Sequence, residues 1–150
     1  MKTRFAMAAL IAASILATGC AGGPQYAVVA SSFPPLAADE GRIFFFRSSS
    51  LLGVATQAPI RLDDVIVGAS RPRGFFYVDR PAGSHVASAS TEIKTTLSFT
   101  LDAGETKYIR TSPGFGFVMG RIVLELEDPQ KAQAEIEKLS FTGSLPPDEE

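Results

Sequence analysis

The sequence predicts a mainly β, antiparallel β-sandwich-like domain with one C-terminal α-helix. Apolar and polar residues alternate from Leu97 to Leu101, which is typical of a strand with one buried face. The apolar run that starts at Ile43 lies between Arg42 and Arg47, as in a strand that is covered on both faces. A helical stripe of apolar residues follows near the end of the chain.

The other strands are predicted from short apolar runs between turn residues. The predicted strands cover residues 42–47, 59–62, 65–67, 75–78, 86–89, 97–101, 108–109 and 122–126. Between the second and third of them, Asp63 and Asp64 predict a short hairpin or a bent strand. Gly83 and Gly104 each end a three-residue sequence that suits a hairpin loop, in which Gly adopts a left-handed conformation without strain. We therefore expect a hairpin at residues 75–89 and another at residues 95–110.

The C-terminal helix is predicted to begin after Asp128, a residue type that caps helices, with Pro129 at the first helical position. Its apolar stripe consists of Ala132, Ile136 and Leu139. Because this stripe is narrow, we expect the helix to pack on the sheet. Docking of the helix on a partner protein is the alternative that the spacing leaves open.

The N-terminal residues predict export and lipid attachment. A positively charged start precedes an apolar run, residues 5–16, that is too short to span a bilayer. Residues 16–20, Leu-Ala-Thr-Gly-Cys, resemble the lipobox of bacterial lipoproteins, which makes Cys20 the predicted lipid attachment residue. An ordinary secretory signal is the alternative. Cys20 is the only cysteine, so no disulfide can form within the chain, and Ala21 after it favours the outer membrane.

These patterns divide the chain into four parts. We expect a signal peptide at residues 1–19, a lipidated cysteine with a flexible tether at 20–40, a β domain with its helix at 41–142, and a disordered acidic tail at 143–150. A chain of 150 residues suits one such domain with tails.

The residue types predict no catalytic residue, no cofactor and no metal site. The net charge of −2 lacks the basic stripe that nucleic-acid binding needs. His85 is the only histidine, and adjacent strand residues point to opposite faces, so Ser84 is not expected to pair with it. One His and one lipidated Cys cannot form a zinc cluster. We expect His85 to be a turn residue or a cross-strand packing residue.

The Gly-rich segment at residues 114–120 is the candidate contact surface. Phe115 and Phe117 lie between glycines and are the first candidates for contact with a partner. A packed, bulged strand start is the alternative for this segment.

A small basic spot is predicted around Pro72. Arg71 and Arg73 flank this proline, and Arg61 and Arg80 are expected nearby. A solvated rim is one interpretation of these arginines, and contact with an anionic glycan or a phospholipid headgroup is the other.

Several of these segments resemble an uncharacterised family of bacterial lipoproteins, the domain-of-unknown-function 2846 group. The resemblance covers residues 41–126 and rests on residues 41–47, 60–63, 67–68, 76–79, 81–86, 103–110 and 120–121. The family often has Asp-Gly in the first turn, so Asp64 in this chain predicts a turn of different shape. The middle section also resembles the PEGA module, a small β-sandwich-like envelope domain with a Gly-x-His element after a turn. Neither resemblance implies a catalytic residue.

The sequence as a whole predicts a non-enzymatic interaction or structural module in the bacterial envelope. We expect it to be held by the lipid on Cys20, in the outer membrane and facing the periplasm, and to bind a protein or glycan partner. A carrier or sensor of a small apolar ligand or lipid is the alternative. An envelope hydrolase is a remote third hypothesis, which would require acids or His85 to converge in a cleft.

Overall fold

The computed structural model describes residues 22–50, 56–118 and 120–143. In chain order, its elements are α1 (Tyr26–Val29), β1 (Glu40–Phe46), β2 (Ala58–Leu62), β3 (Val65–Ser70), β4 (Gly74–Pro81), β5 (Gly83–Ser90), β6 (Lys94–Leu101), β7 (Thr106–Gly114), β8 (Arg121–Leu126), α2 (Pro129–Ile136) and β9 (Ser140–Phe141). No helix within these ranges is both long enough and apolar enough to cross a membrane. The predicted signal peptide, Cys20 and residues 144–150 lie outside the described residues.

The strands form two sheets that share one hydrophobic core. The five-stranded sheet has the order β8-β7-β1-β4-β9, and the four-stranded sheet has the order β3-β2-β5-β6. The mainly β, sandwich-like class is thus confirmed. The five-stranded sheet is mixed rather than purely antiparallel, because β1 pairs in parallel with β7 and β4 in parallel with β9.

The apolar strand β1 occupies the centre of the five-stranded sheet and is buried on both faces. On the inner face, Phe45 stacks on Phe76 of β4, with the ring centroids 5.0 Å apart. On the outer face, Phe44 stacks on Tyr108 of β7 at 5.4 Å and also contacts Phe33. The prediction of a strand covered on both faces is confirmed, because other segments cover each side of this apolar run.

The hairpins predicted around Gly83 and Gly104 are wrong. The strands on either side of each turn lie in different sheets, since β4 and β7 both pair with β1 whereas β5 and β6 pair with each other. The amide of Ala82 donates to the carbonyl of Asp39, and the amide of Gly104 donates to the carbonyl of Glu40, both at 2.8 Å. A turn sequence specifies a change of direction but not the partner strand, and here the turns pass from one sheet to the other beside the start of β1.

Residues 22–40 do not form the flexible tether that the sequence predicted. They fold onto the outer face of the five-stranded sheet. Val29 in α1 is 2% exposed. Tyr26 lies 5.8 Å from Phe75, and Phe33 lies 4.5 Å from Tyr77, measured between ring centroids. The Pro and Gly content of this segment suggested flexibility, but its spaced apolar residues cover the face of β1 and β4 that would otherwise be exposed.

An arginine fixes the end of this covering segment. The guanidinium of Arg42 donates to both carboxylate oxygens of Asp79 at 2.8 Å and to the carbonyl of Pro34 at 2.6 Å. It also lies over the ring of Tyr77, 4.5 Å from the centroid. A bidentate ion pair of this kind constrains orientation as well as distance, so residues 33–34 are held against the sheet.

The second helix packs on the sheet as predicted. The Asp128 carboxylate accepts from the amides of Gln130 and Lys131 at 3.1 Å, which confirms it as the N-cap. Ala132 and Ile136 are fully buried, and Leu139 is buried after the helix ends. The short strand β9 that follows was not predicted.

The β2–β3 connection is a two-residue hairpin turn with Asp at both positions. Leu62 pairs with Val65, and the φ angles of Asp63 and Asp64 are 50° and 66°. Positive φ at both positions is the requirement of a type I′ turn, the geometry that Asp-Gly favours. The hairpin prediction is confirmed, and Asp64 adopts the positive φ that Gly favours at this position.

We predict that Asp64→Gly stabilises the protein, because Gly accepts the left-handed conformation that costs an Asp side chain energy. The gain is expected to be about 0.5–1 kcal/mol after the larger unfolded-state entropy of Gly is subtracted. Urea unfolding of the two proteins measures it. Asp63→Gly is the matched control and should destabilise, since it removes the carboxylate that accepts from Val86 at 2.9 Å. Equal or opposite effects of the two substitutions would contradict the prediction.

Candidate functional site

The segment between β7 and β8 carries three apolar side chains that are almost fully exposed. Phe115 is 91% exposed, Phe117 is 96% exposed and Val118 is 87% exposed. The alternative of a packed, bulged strand start is therefore wrong for these side chains. Since exposed Phe side chains forgo about 1.5–3 kcal/mol of burial each, such a cluster is typical of a contact surface.

The backbone of this loop is fixed even though its side chains face solvent. Glu92, in the β5–β6 turn, accepts from the amide of Val118 at 3.0 Å. Thr91 donates its hydroxyl to the carbonyl of Gly120 at 2.9 Å. A Cβ atom on Gly116 would lie 1.7 Å from a carboxylate oxygen of Glu92. Glycine at this position therefore lets the Glu92 side chain approach the loop backbone closely. The turn therefore presents the apolar loop in a defined position.

His85 forms a partly buried ion pair with Asp63. Its Nδ1 lies 2.6 Å from a carboxylate oxygen of Asp63, and its Nε2 lies 2.8 Å from the carbonyl oxygen of Pro81. Both partners can accept hydrogen bonds, so the arrangement favours the doubly protonated imidazole, in which both ring nitrogens donate. Ser84 is exposed and lies on the opposite face, as predicted.

His85 and Asp63 shift each other's pKa. Burial lowers the pKa of His85, but its hydrogen bonds to Asp63 and Pro81 outweigh burial, so that the pKa is raised above the usual 6.5. Burial raises the pKa of Asp63, but hydrogen bonds from His85 and the Val86 amide outweigh it, and this pKa falls below the usual 3.8. The pair therefore joins the β2–β3 turn to the start of β5, and the prediction that His85 packs across strands is confirmed.

The predicted basic spot is not one surface. Arg71 and Arg73 are exposed in the turn before β4. Arg80 lies near the other end of β4 and donates to the carbonyl of Asp79, while Arg61 donates to the carbonyl of Asp64. The expectation that Arg80 lies near Pro72 is thus wrong, because six residues of extended strand, 74–79, separate Arg73 from Arg80.

Sequence reasoning missed a buried polar network behind the loop. Arg47 is 1% exposed and donates to the carbonyls of Thr56 and Ser70 at 2.6 and 3.3 Å. Burial lowers the pKa of Arg47. The hydroxyls of Ser70 and Thr111 lie 2.8 Å apart and link β3 to β7 across the sandwich. The only sequence signal at Arg47 is a charge that follows an apolar run. That pattern is typical of an exposed strand end and does not indicate burial.

A shallow groove lies where the described chain begins. Its volume is about 420 Å³ and it is lined by residues 22–24, residues 141–143 and Arg71. The amide of Phe141 donates to the carbonyl of Pro24 at 2.8 Å. Among the described residues, His, Cys, Asp and Glu side chains form no group that could hold a metal ion.

A family model places the chain among known sequences. The model for a protein of unknown function, DUF2846, matches residues 37–120, which is more than half of the 150 residues. The chain belongs to the DUF2846 family. An uncharacterized protein of Haemophilus influenzae is 28% identical over 149 residues, covering 96% of this chain and 88% of the relative. No solved structure matches this DUF2846 protein.

The family match ends where the candidate loop ends. It includes β1 to β7, the His85–Asp63 pair and both phenylalanines, while β8, α2 and β9 follow it. The resemblance to this family is therefore confirmed, and Cys20 lies outside both the match and the described residues.

We predict that His85 makes the stability of the DUF2846 domain depend on pH near neutrality. A raised pKa means that its contribution is complete below the unfolded value near 6.5 and is lost as pH rises through the folded pKa. The lowered pKa of Asp63 means that its contribution is present above about 3.8 and is lost as pH falls. The pair is thus most stabilising between these two values.

His85→Gln should therefore remove most of the decrease in unfolding free energy that the wild-type protein shows as pH rises above 6.5. Urea unfolding at a series of pH values measures this decrease. Asp63→Asn is the matched control, because it keeps the histidine but removes the carboxylate that raises its pKa. An identical pH dependence in the wild-type protein and His85→Gln would show that the imidazole does not titrate in this way.

Proposed function

We propose that this DUF2846 protein is a non-enzymatic interaction or structural module of the bacterial envelope, anchored through a lipid on Cys20. In this proposal it lies on the outer membrane and faces the periplasm. The observation that carries the interaction role is the almost complete exposure of Phe115 and Phe117 on a loop whose backbone is fixed by Glu92 and Thr91. A pre-positioned aromatic pair can be buried by a protein or glycan partner at a small entropic cost.

The environment of His85 supports a non-enzymatic role. A general base needs a free lone pair within reach of a nucleophile. Both ring nitrogens of His85 face acceptors, and Ser84 lies on the other face of the strand. This arrangement gives no support to the hydrolase hypothesis.

The packing of the core counts against the carrier alternative. The side chains between the sheets include Ile43, Phe45 and Ile60, which are 0% exposed, so that no water-sized void reaches them. A carrier of an apolar ligand needs an apolar cavity of about 300 Å³ or more. Two grooves among the described residues, one near Pro24 and one near Arg47, open at the surface and include polar side chains.

The lipid anchor predicts that radiolabelled palmitate is incorporated into the protein in cells and that Cys20→Ala abolishes this incorporation. Cys20 is the only cysteine, so a thioether-linked lipid has no other site in the chain. Gel autoradiography of the immunoprecipitated protein measures the label, with Cys20→Ala of equal abundance beside it. Label retained in Cys20→Ala, or absent from both proteins, would refute the lipoprotein assignment.

The contact surface predicts that Phe115→Ser with Phe117→Ser leaves the fold intact but removes crosslinking to the partner in cells. Surface substitutions change stability by about 0.5 kcal/mol or less, so the thermal midpoint should stay near that of the wild type. The matched control is Val65→Ser with Ile66→Ser, which replaces two apolar residues that are exposed elsewhere, by 60% and 55%. Equal crosslinking in both double variants would contradict the role of the loop.

A further inference from the structure

The described chain begins at one end of the five-stranded sheet. Gly22 and Arg71 line the same groove. The carbonyl of Pro24 accepts a hydrogen bond from the amide of Phe141, and Phe141 pairs with Phe75 near the start of β4. Cys20 precedes Gly22 by two residues, and consecutive Cα atoms are 3.8 Å apart, so the two Cα atoms are at most about 8 Å apart. A lipid on Cys20 would therefore hold this end of the domain close to the bilayer, without the long tether that the sequence suggested.

The apolar loop lies at the same end of the sheet. Phe46, the last residue of β1, pairs with Phe75 near the start of β4 and with Arg110 of β7. Beyond Arg110, β7 continues for four more residues to Gly114, where the loop begins. At about 3.3 Å per residue, the β7–β8 hairpin extends roughly 13 Å past the end of β1. The loop thus projects in the direction from which the lipid-bearing chain enters.

The charges on the two ends of the sheet differ. Arg71, Arg73 and Arg121 are exposed at the end that carries the loop and the chain start, where the exposed Glu92 also lies against the loop. At the other end, Asp39 and Asp102 are exposed beside the start of β1. Cations beside exposed aromatic and aliphatic side chains suit the boundary between anionic headgroups and acyl chains, where each basic residue strengthens attachment.

We propose that this end of the domain lies on the bilayer, with Phe115, Phe117 and Val118 inserted among the lipids and with Arg71 and Arg73 against anionic headgroups. The proposal rests on the lipid anchor of the proposed function, and for the loop it replaces the protein or glycan partner by the lipid surface. The anchor would leave only a few residues of chain between the domain and the membrane. A protein partner of the loop would have to fit into that space.

The absence of tryptophan from the chain permits a direct test. The lipidated protein carrying Phe117→Trp is reconstituted in vesicles of phosphatidylethanolamine and phosphatidylglycerol, with and without brominated acyl chains, which quench tryptophan on contact. Ala103→Trp, an exposed position in the turn beside Asp102 at the other end, is the matched control. We expect a blue shift and strong quenching for Phe117→Trp, and neither for Ala103→Trp.

Equal, unquenched emission from both variants on vesicles that carry the protein would overturn the insertion of the loop while leaving the anchor in place. Failure of both variants to float with vesicles would remove the anchor and the inference with it. A blue shift of Phe117→Trp in native membranes but not in pure lipid would assign the loop to a protein partner instead. These three results separate the failure of the inference from the failure of the proposed function.

The arginines are tested in the Phe117→Trp background. Arg71→Gln with Arg73→Gln should reduce quenching in vesicles that contain phosphatidylglycerol. The loss of each arginine should lower the equilibrium constant for insertion of the loop by up to about fivefold. Arg80→Gln, near the opposite end of β4, is the matched control and should leave the quenching unchanged. Equal quenching in all three proteins would contradict the headgroup contact.

Discussion

The burial of β1 is the constraint on which the other elements depend. A strand that contains Ile43 and three consecutive phenylalanines cannot face water on either side or stand at a sheet edge without a large loss of hydrophobic free energy. The chain meets this constraint with four separate segments: β4 and β7 occupy its two edges, the four-stranded sheet covers its inner face, and residues 26–33 cover its outer face together with Tyr108. The sheet order and the path of the N-terminal segment follow from that arrangement.

Local features of the fold could be predicted from the sequence, whereas the pairing of the strands could not. Alternation and apolar runs located β1 to β8, and Asp128 located the start of α2, because each signal arises from neighbouring residues. The turns at Gly83 and Gly104 were recognised, but their strands were assigned to hairpins. A turn contains no information on distant strands, and the parallel pairing of β1 with β7 joins residues more than sixty positions apart. The covering role of residues 26–33 depends on the same non-local contacts.

The candidate site was predictable in its composition but not in its geometry. Glycines around Phe115 and Phe117 marked an unusual segment, yet the same pattern suits a packed strand start. Glu92 decides between an exposed loop and a packed strand start. It lies in the β5–β6 turn and accepts a hydrogen bond from the loop backbone. In the same way, the Asp63–His85 pair joins residues of two strands, and no spacing rule reveals it. Arg47 shows the converse, since a charge that usually marks a solvated strand end is here enclosed between the sheets.

The meeting of the first and last described segments affects how the domain assembles. Gln25 forms a β-bridge with Ser140, and β9 adds to β4 only through the last described residues. A chain that emerges from its N-terminus therefore cannot complete the cover over the aromatic face of β1 and β4 until Ser140 and Phe141 have emerged, because Phe141 packs on Phe33 and Phe75. Since pairings between distant segments slow folding, the outer face beside the phenylalanine-rich strand stays incompletely covered and association-prone during this interval. The completion of this cover is thus among the last steps of assembly, although β1 is the first of the described strands to be made.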